Sequence, residues 1–396
     1  MSYFLTLPAR INILGNPSDA NEGDFATISA AVELRAGALV EDSNTLVLQS
    51  LHIQPGQAVT GSGEARQLPV DCFQECAPGS FPLPYTGELD LIKGAINQLH
   101  RYSPEFRQKY ASKGVRISIW SGVPRQSGLG GSSLFVLLTL AGLRAYYQLD
   151  PRAHNDYVIA ELTQRTEARE LNIACGYADR YVPLFGGLAY IDYRGKLWQE
   201  KIDQEPYATY EHLVPGPLSR LKVHLPLVAA CTGLMHQSGD VHGSMRPRYL
   251  EEQANWEKHG GAIPPMVRFM RLAWETAWRG KIALLHGDLV EFGKLMNENH
   301  RLVDEMMSYC GFQDGAGWAN NLLIRTALEN GALGAKLTGA GSGGSVFALA
   351  HPGQESRFVK AFEHAAAKAG LTQAFVYRPR IAQKGLIIKK DGPGVD

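Results

Sequence analysis

The run Gly122-Val123-Pro124-Arg125-Gln126-Ser127-Gly128-Leu129-Gly130-Gly131-Ser132-Ser133 combines glycines, hydroxyls and an approaching helix start. Before it, Val115, Ile117 and Ile119 alternate with polar or bulky residues, the period of a half-buried strand; after it, Leu134 to Tyr147 is almost unbroken apolar or small, the pattern of a buried helix. Glycines let the backbone approach a ligand closely, and the helix start presents unpaired N–H groups with partial positive charge. A strand, loop and helix in that order can cradle a phosphate. A tight turn without a ligand satisfies the same residues. No Lys precedes Ser132 or Ser133, so the loop is not a P-loop, nor does it spell G-x-G-x-x-G.

A second stretch has four glycines in six residues, Gly339-Ala340-Gly341-Ser342-Gly343-Gly344, between two short strands at 335–338 and 345–350. A plain hairpin needs fewer glycines, and such a loop can form an anion nest. Glu167 falls at the edge of a helical stripe, where it either pairs with Arg165 or Arg169 or serves as a magnesium ligand. Asp179, beside Arg180, lies in a turn-like segment before Gly186-Gly187 and reads locally as a turn cap or surface ion pair. Arg10 and Asn12 interrupt an apolar run, either as a solvated strand face or as site residues. Ser238, His242, Arg246 and Arg248 form a polar cluster without helix or strand period; it suits an anionic ligand group or a solvated loop.

The elements that position these residues follow from periodicity. Phe4–Leu14 reads as a strand broken at Pro8, followed by the turn chemistry of Gly15-Asn16-Pro17-Ser18-Asp19. Strands are predicted at 27–34, 37–40 and 46–53, an irregular excursion over 54–85, and a helix ending near His100. Asp150-Pro151 predicts a helix start. Prolines at 206, 215 and 217 mark a join between lobes, 225–231 a strand, and 266–278, 282–307 and 319–329 helices. A helix at 354–369 and a strand at 372–377 complete a β-loop-β-α-β run, as in an α+β sandwich.

The chain has 396 residues, too many for one ordinary core and enough for two packed lobes, 1–205 and 206–396. Its 39 basic and 39 acidic residues cancel, which gives no standing attraction for nucleic acid or an anionic membrane. Five cysteines, an odd number without C-x-x-C spacing, argue against a disulfide framework or zinc site and fit a reducing compartment. The first residues show no signal-peptide pattern, so a cytoplasmic protein is expected.

Taken together, these stretches resemble the GHMP kinases. The family's first motif looks like Pro8-Ala9-Arg10-Ile11-Asn12-Ile13-Leu14-Gly15, its second like Pro124 to Ser133, and its third like Lys336 to Gly344. Within that family the residues are similar to those of glucuronokinases: Gly15 to Asp19, Val123 to Leu129, Asp179-Arg180 with Phe185-Gly187, and Ser238 to His242. The resemblance implies a two-lobed α+β fold, with an N-terminal mixed sheet and helix lobe and a C-terminal ferredoxin-like α/β sandwich. It implies ATP with Mg²⁺ and a small-molecule sugar or sugar acid, glucuronate to glucuronate 1-phosphate first, in a monomer or homodimer. Another sugar, heptose or cyclitol kinase, or a non-catalytic sugar and ATP sensor, is the alternative.

Residue by residue, the resemblance places nucleotide binding at Pro124, Gln126, Ser127, Gly128, Leu129, Gly130, Gly131, Ser132 and Ser133, with Gly339, Gly341 and Gly343. Metal binding falls to Ser132 and Glu167, and catalysis to Asp179 with Arg10 beside it. Substrate binding falls to Asn16, Asp19, Arg180, His242, Arg246 and Gly341. Where galactokinases have Glu-His this chain has Asn16-Pro17, which counts against galactose; Gly131 stands where many members have Ser.

Overall fold

The computed structural model describes residues 1–20, 25–124, 127–173, 175–193, 207–213, 225–234, 238–339 and 341–391. The strands among them are β1 (Ser2–Leu14), β2 (Ala26–Asp42), β3 (Leu46–Leu51), β4 (Val70–Cys76), β5 (Val115–Ser121), β6 (Leu188–Asp192), β7 (Thr209–His212), β8 (Leu227–Cys231), β9 (Gly334–Thr338), β10 (Ser345–Leu349), β11 (Phe375–Tyr377) and β12 (Ile387–Asp391). The helices are α1 (Ser62–Ala65), α2 (Asp90–Tyr102), α3 (Pro104–Ser112), α4 (Gly131–Tyr146), α5 (Asp156–Arg165), α6 (Ala178–Phe185), α7 (Ser238–His259), α8 (Pro265–His286), α9 (Leu289–Tyr309), α10 (Trp318–Glu329) and α11 (Glu355–Lys368).

The expected α+β architecture holds. Among the described residues, eight strands form a mixed sheet in the order β12-β1-β2-β5-β3-β4, with β6 added to β2 and β7 to β6; of their pairings only β3–β5 is parallel. Four antiparallel strands form the second sheet, β11-β8-β10-β9. Both β7 and β12 lie beyond residue 205 in sequence yet hydrogen-bond into the first sheet, so the chain crosses between the sheets more than once.

Several local expectations are corrected. Pro8 does not break β1: the strand runs on, and its pairing with β2 slips register between Pro8 and Ala9, the form in which a sheet tolerates a residue with no N–H. The segments 27–34 and 37–40 are one strand, β2. The excursion 54–85 contains β4 and α1. No helix starts at Pro151; α5 starts at Asp156, because Asn155 accepts a hydrogen bond from the Val158 N–H at 3.0 Å and caps it. Helix α8 continues through residues 282–286 and stops at Gly287, whose φ of 73° is left-handed. The cluster at 236–248 is helical from Ser238 onward: Val241, Met245 and Tyr249 recur every four residues into the core, while Gly239, Gly243 and Pro247 obscure the period.

The larger core lies where α2, α4, α5 and α6 cover the first sheet. The second gathers α7 to α11 on the smaller sheet, and α8 and α9 contribute to both. Those two helices therefore bridge the sheets, and the ends of β1, β9, α4 and α6 converge between them.

Candidate active site

Arg10 sits on β1 with 5% of its side-chain surface exposed, and its Nε donates to Asp179 Oδ1 at 2.5 Å. Asp179 belongs to the first turn of α6 rather than to a turn, and its side chain keeps 18% of its surface exposed. The open edge of the pair is thus the carboxylate. Burial alone would raise the Asp179 pKa, but Arg10 and Arg180, with His242 adding, hold it below the usual carboxylate range. Arg10 Nη1 also donates to the carbonyl of Gly128, and its backbone N–H to that of Leu129 at 3.3 Å. One guanidinium therefore touches both the acidic residue and the glycine loop.

That loop has the backbone it needs. Gly128 has φ of 72°, and a Cβ there would lie 2.7 Å from the Thr338 carbonyl; a Cβ on Gly339, φ 82°, would lie 2.9 Å from Gly128 Cα. The two glycine-rich stretches pack backbone against backbone, a contact open only to residues without side chains. Ser127 is buried, and its carbonyl accepts from Ser345 Oγ at 2.6 Å, a further tie to the second sheet. Gly130 (φ 81°) caps α4, no side chain occupies that cap, and a Cβ on Gly131 would meet nothing within 4 Å. The first N–H groups of α4 thus carry no side-chain cap, the condition for an anion cradle. Pro124 leads into the loop and Leu129 is buried beneath it. Gln126, like Arg125, lies outside the described residues. In the second stretch Gly341 (φ 97°) lies against Met307, and the Gly343 carbonyl accepts from Asn320 Nδ2 at 2.9 Å.

Glu167 lies in a π-helical turn, Thr166–Glu170, at 1% exposure. Its Oε1 accepts from Ser132 Oγ at 2.9 Å, and its Oε2 from Ser133 Oγ at 2.8 Å and from Arg180 Nη2. Arg180 is therefore a partner of Glu167 that neighbouring sequence did not suggest. Arg180 itself is 0% exposed, and its guanidinium pKa is raised: burial lowers it, but Cys175 and Glu167 push it up by more. Among the described residues no group of three or more His, Cys, Asp or Glu gathers as a metal site. Ser132 and Glu167 nevertheless fit Mg²⁺, which takes few protein ligands beside phosphate oxygens. Adjacent oxygens on an octahedral ion with bonds of 2.0–2.1 Å are about 2.9 Å apart, the spacing of these two.

The first-motif turn is held from several sides. Asp19 is 3% exposed and accepts the Ala178 N–H at 3.0 Å, so it caps the helix that carries Asp179. Burial raises its pKa, while that N–H lowers it. Gly176 makes room for it: a Cβ there would lie 2.4 Å from Asp19 Oδ2 and would have to displace that carboxylate. Asn16 Oδ1 accepts from Lys336 Nζ at 2.7 Å, and the Asn16 carbonyl accepts from Asn299 Nδ2 at 3.1 Å. The Asn12 N–H donates to Thr338 Oγ1 at 2.9 Å. Lys336, Asn299 and Thr338 carry no expectation from sequence beyond the position of Lys336 at the head of the third motif. The available signal was a lysine inside a short apolar strand, where a charge needs a reason.

On α7, His242 and Arg246 are one turn apart and share a face. His242 is near enough to Asp179 to lower its pKa, and burial lowers that of Arg246. Arg248 points elsewhere: it stacks 4.3 Å above the Tyr309 ring and donates to the Tyr309 carbonyl at 2.5 Å.

An anion cradle fused to a second glycine loop, with an ionised Asp–Arg pair at its rim, matches a family of phosphotransferases. The family model for the GHMP kinases N terminal domain matches residues 90–187, and that for GHMP kinases C terminal matches 320–368. The chain thus matches both GHMP kinase domain models, and that likeness marks it as a phosphotransferase. Among its relatives, probable glucuronokinase 2 of Arabidopsis thaliana is 28% identical, over 91% of this chain and 87% of that protein. Mevalonate kinase of Thermococcus sibiricus is 26% identical over 98% and 99%. In fold, the chain is similar to Lactococcus lactis galactokinase complexed with galactose, with a TM-score of 0.71 at 20% identity over 98% and 95% of the two chains. All five cysteines are free, and among the described residues no helix is long and apolar enough to cross a membrane.

Proposed function

We propose that the protein transfers the γ-phosphoryl group of ATP to a hydroxyl of a sugar acid, with glucuronate to glucuronate 1-phosphate as the first assignment. The observation that carries it is Arg10 joined to both Asp179 and the Gly128 carbonyl, which sets an acceptor-side carboxylate against a phosphate-side loop. The acceptor oxygen forms its bond to the γ-phosphorus as the bond to the β-bridging oxygen breaks; ADP leaves and the hydroxyl proton passes to Asp179. Asp179 is held low by its arginines and is therefore a weak base. Its role is to accept the hydroxyl hydrogen bond and aim the oxygen, taking the proton late, in keeping with a transition state that asks little of its nucleophile. Arg10 steadies charge at the transferring group. The N–H groups after Gly130, with the loop at Gly339 to Gly343, hold the phosphates. Ser132 and Glu167 would hold Mg²⁺, whose charge when bound offsets that of the phosphate oxygens.

The acid preference is supported by Arg246, a partly desolvated guanidinium one turn from His242 on the face near Asp179. Likeness to a glucuronokinase over 91% of the chain points the same way. The test is ADP release over a panel of sugars, sugar acids, heptoses and cyclitols. Glucuronate is expected to give the highest kcat/KM, at least about tenfold over glucose, the size of one well-placed charge pair. Arg246→Gln is expected to remove that preference. Equal kcat/KM for glucuronate and glucose sinks the assignment.

A further inference from the structure

Lys336 on β9 is 0% exposed, and among the described residues no carboxylate pairs with it. Its Nζ reaches three carbonyl-type oxygens instead: Asn16 Oδ1 and the Leu337 carbonyl at 2.7 Å each, and the Asn12 carbonyl at 3.4 Å. The charged neighbour facing it is basic, Arg10 from β1; His300 from α9 also lies near, its imidazole pKa pushed down to about 4 by burial and by Lys336. A buried amine without a counter-ion is a poor stabiliser, and an apolar residue of similar length would fill the space at lower cost. The group is placed for what it joins.

On one side of Lys336 is the strand whose next residues, Thr338 and Gly339, lie against Gly128 of the nucleotide loop. On the other is the turn of residues 15–19. Asn299 fixes that turn from α9 by accepting from the Gly15 N–H and donating to the Asn16 carbonyl, both at 3.1 Å. From the turn, Asp19 holds the first N–H of the helix bearing Asp179. A continuous set of contacts thus runs from the phosphate cradle to the catalytic carboxylate, crossing at Lys336 at 2.7 Å and, beside it, at the longer hydrogen bond of 3.4 Å from Asn16 Nδ2 to the Gly339 carbonyl.

We propose that Lys336 is a positioning residue: its Nζ ties the turn at Asn16 to the strand carrying the second glycine-rich loop, so that nucleotide held by the loops orders the acceptor side of the site. This rests on the kinase assignment above but not on the identity of the sugar. It separates Lys336 from Arg10, which touches the loop directly.

The test is hydrogen exchange by mass spectrometry on the full chain, with and without the non-hydrolysable analogue adenylyl imidodiphosphate and Mg²⁺, and with no sugar present. In the parent protein, the analogue is expected to slow exchange about fivefold or more in both Ser127–Ser133 and Gly15–Ala20, the low end of ordinary coupling between sites. In Lys336→Met the loop remains slowed, while the turn changes by less than about twofold. Asn16→Ala removes that contact together with the weaker Asn16 Nδ2 hydrogen bond to the Gly339 carbonyl at 3.4 Å, so it is expected to uncouple the turn at least as fully; a turn still slowed in it overturns the proposal even if Lys336→Met does not fold. A turn slowed as much in the variants as in the parent overturns the proposal, as does a parent turn indifferent to the analogue. Loss of loop slowing in folded variants also overturns it, since Lys336 would then belong to the nucleotide site itself. A wrong sugar leaves this experiment intact and fails only in the acceptor panel.

Discussion

Glu167 and Arg180 form an ion pair in which neither side chain has more than 1% of its surface exposed. The same carboxylate takes hydrogen bonds from two successive serines of the phosphate loop, so one residue serves the core and the loop together. Removing half of a buried pair strands the other charge. Glu167→Gln is therefore expected to lose about 3–5 kcal/mol of stability and also to raise the Mg²⁺ concentration needed for half-maximal activity. Urea unfolding and Mg²⁺ titration on one preparation check both; a variant of normal stability would contradict the burial.

Asp179 is expected to separate chemistry from binding. Asp179→Asn keeps the shape and removes the proton acceptor, so kcat should fall by about 10² or more, the scale of a lost general base. Nucleotide affinity, measured by calorimetry with the same ATP analogue, should hold, because the phosphates are gripped at the loop. Near-normal kcat in a folded variant removes Asp179 from the mechanism.

The pH dependence of Asp179 follows from its depressed pKa. A carboxyl lower in the folded state than in the unfolded one contributes stability above its unfolded value, near 3.8, and that contribution is lost as pH falls through the folded value. The stability difference between parent and Asp179→Asn should therefore be constant from about pH 6 to 8 and shrink only below about pH 4.

Lys336 has the opposite consequence at the other end of the scale. Burial, and then Arg10, bring its amine from 10.5 down to about 7. Between those values the unfolded chain binds more protons than the folded one, so stability contributed at this site rises with pH. Relative to Lys336→Met, the parent should gain stability between pH 7 and 9, read as a shift in urea midpoint with unchanged slope.

Gly128 offers a test of the backbone alone. Gly128→Ala places a Cβ 2.7 Å from the Thr338 carbonyl at a φ of 72°, so the loop must move away from the second sheet. Nucleotide affinity is expected to drop at least about tenfold, within the cost of one displaced phosphate contact. Gly131→Ala, at an open position, should bind nucleotide nearly as the parent does.

Much of the site was legible in local sequence because its chemistry is backbone chemistry. Glycines at 128, 130, 339 and 341 announce left-handed turns whatever the surrounding fold, and the apolar runs on either side of the first loop announce a strand and a helix. Helix starts were less legible: Asp150-Pro151 suggested one, but α5 begins after Asn155, whose side chain caps it. Which charges meet was beyond local sequence altogether. From sequence Glu167 has arginines two residues to either side, yet in the fold it also pairs with Arg180 on the next helix. Asp19 and Asn16 look alike as turn residues, but one caps α6 and the other receives a lysine from 320 residues away in sequence. Periodicity reports which face of an element is buried; it carries no information about what lies opposite. That was decided only when β1 and β9 came together between the two sheets and left Lys336 no oxygen but those of the first motif and its own strand.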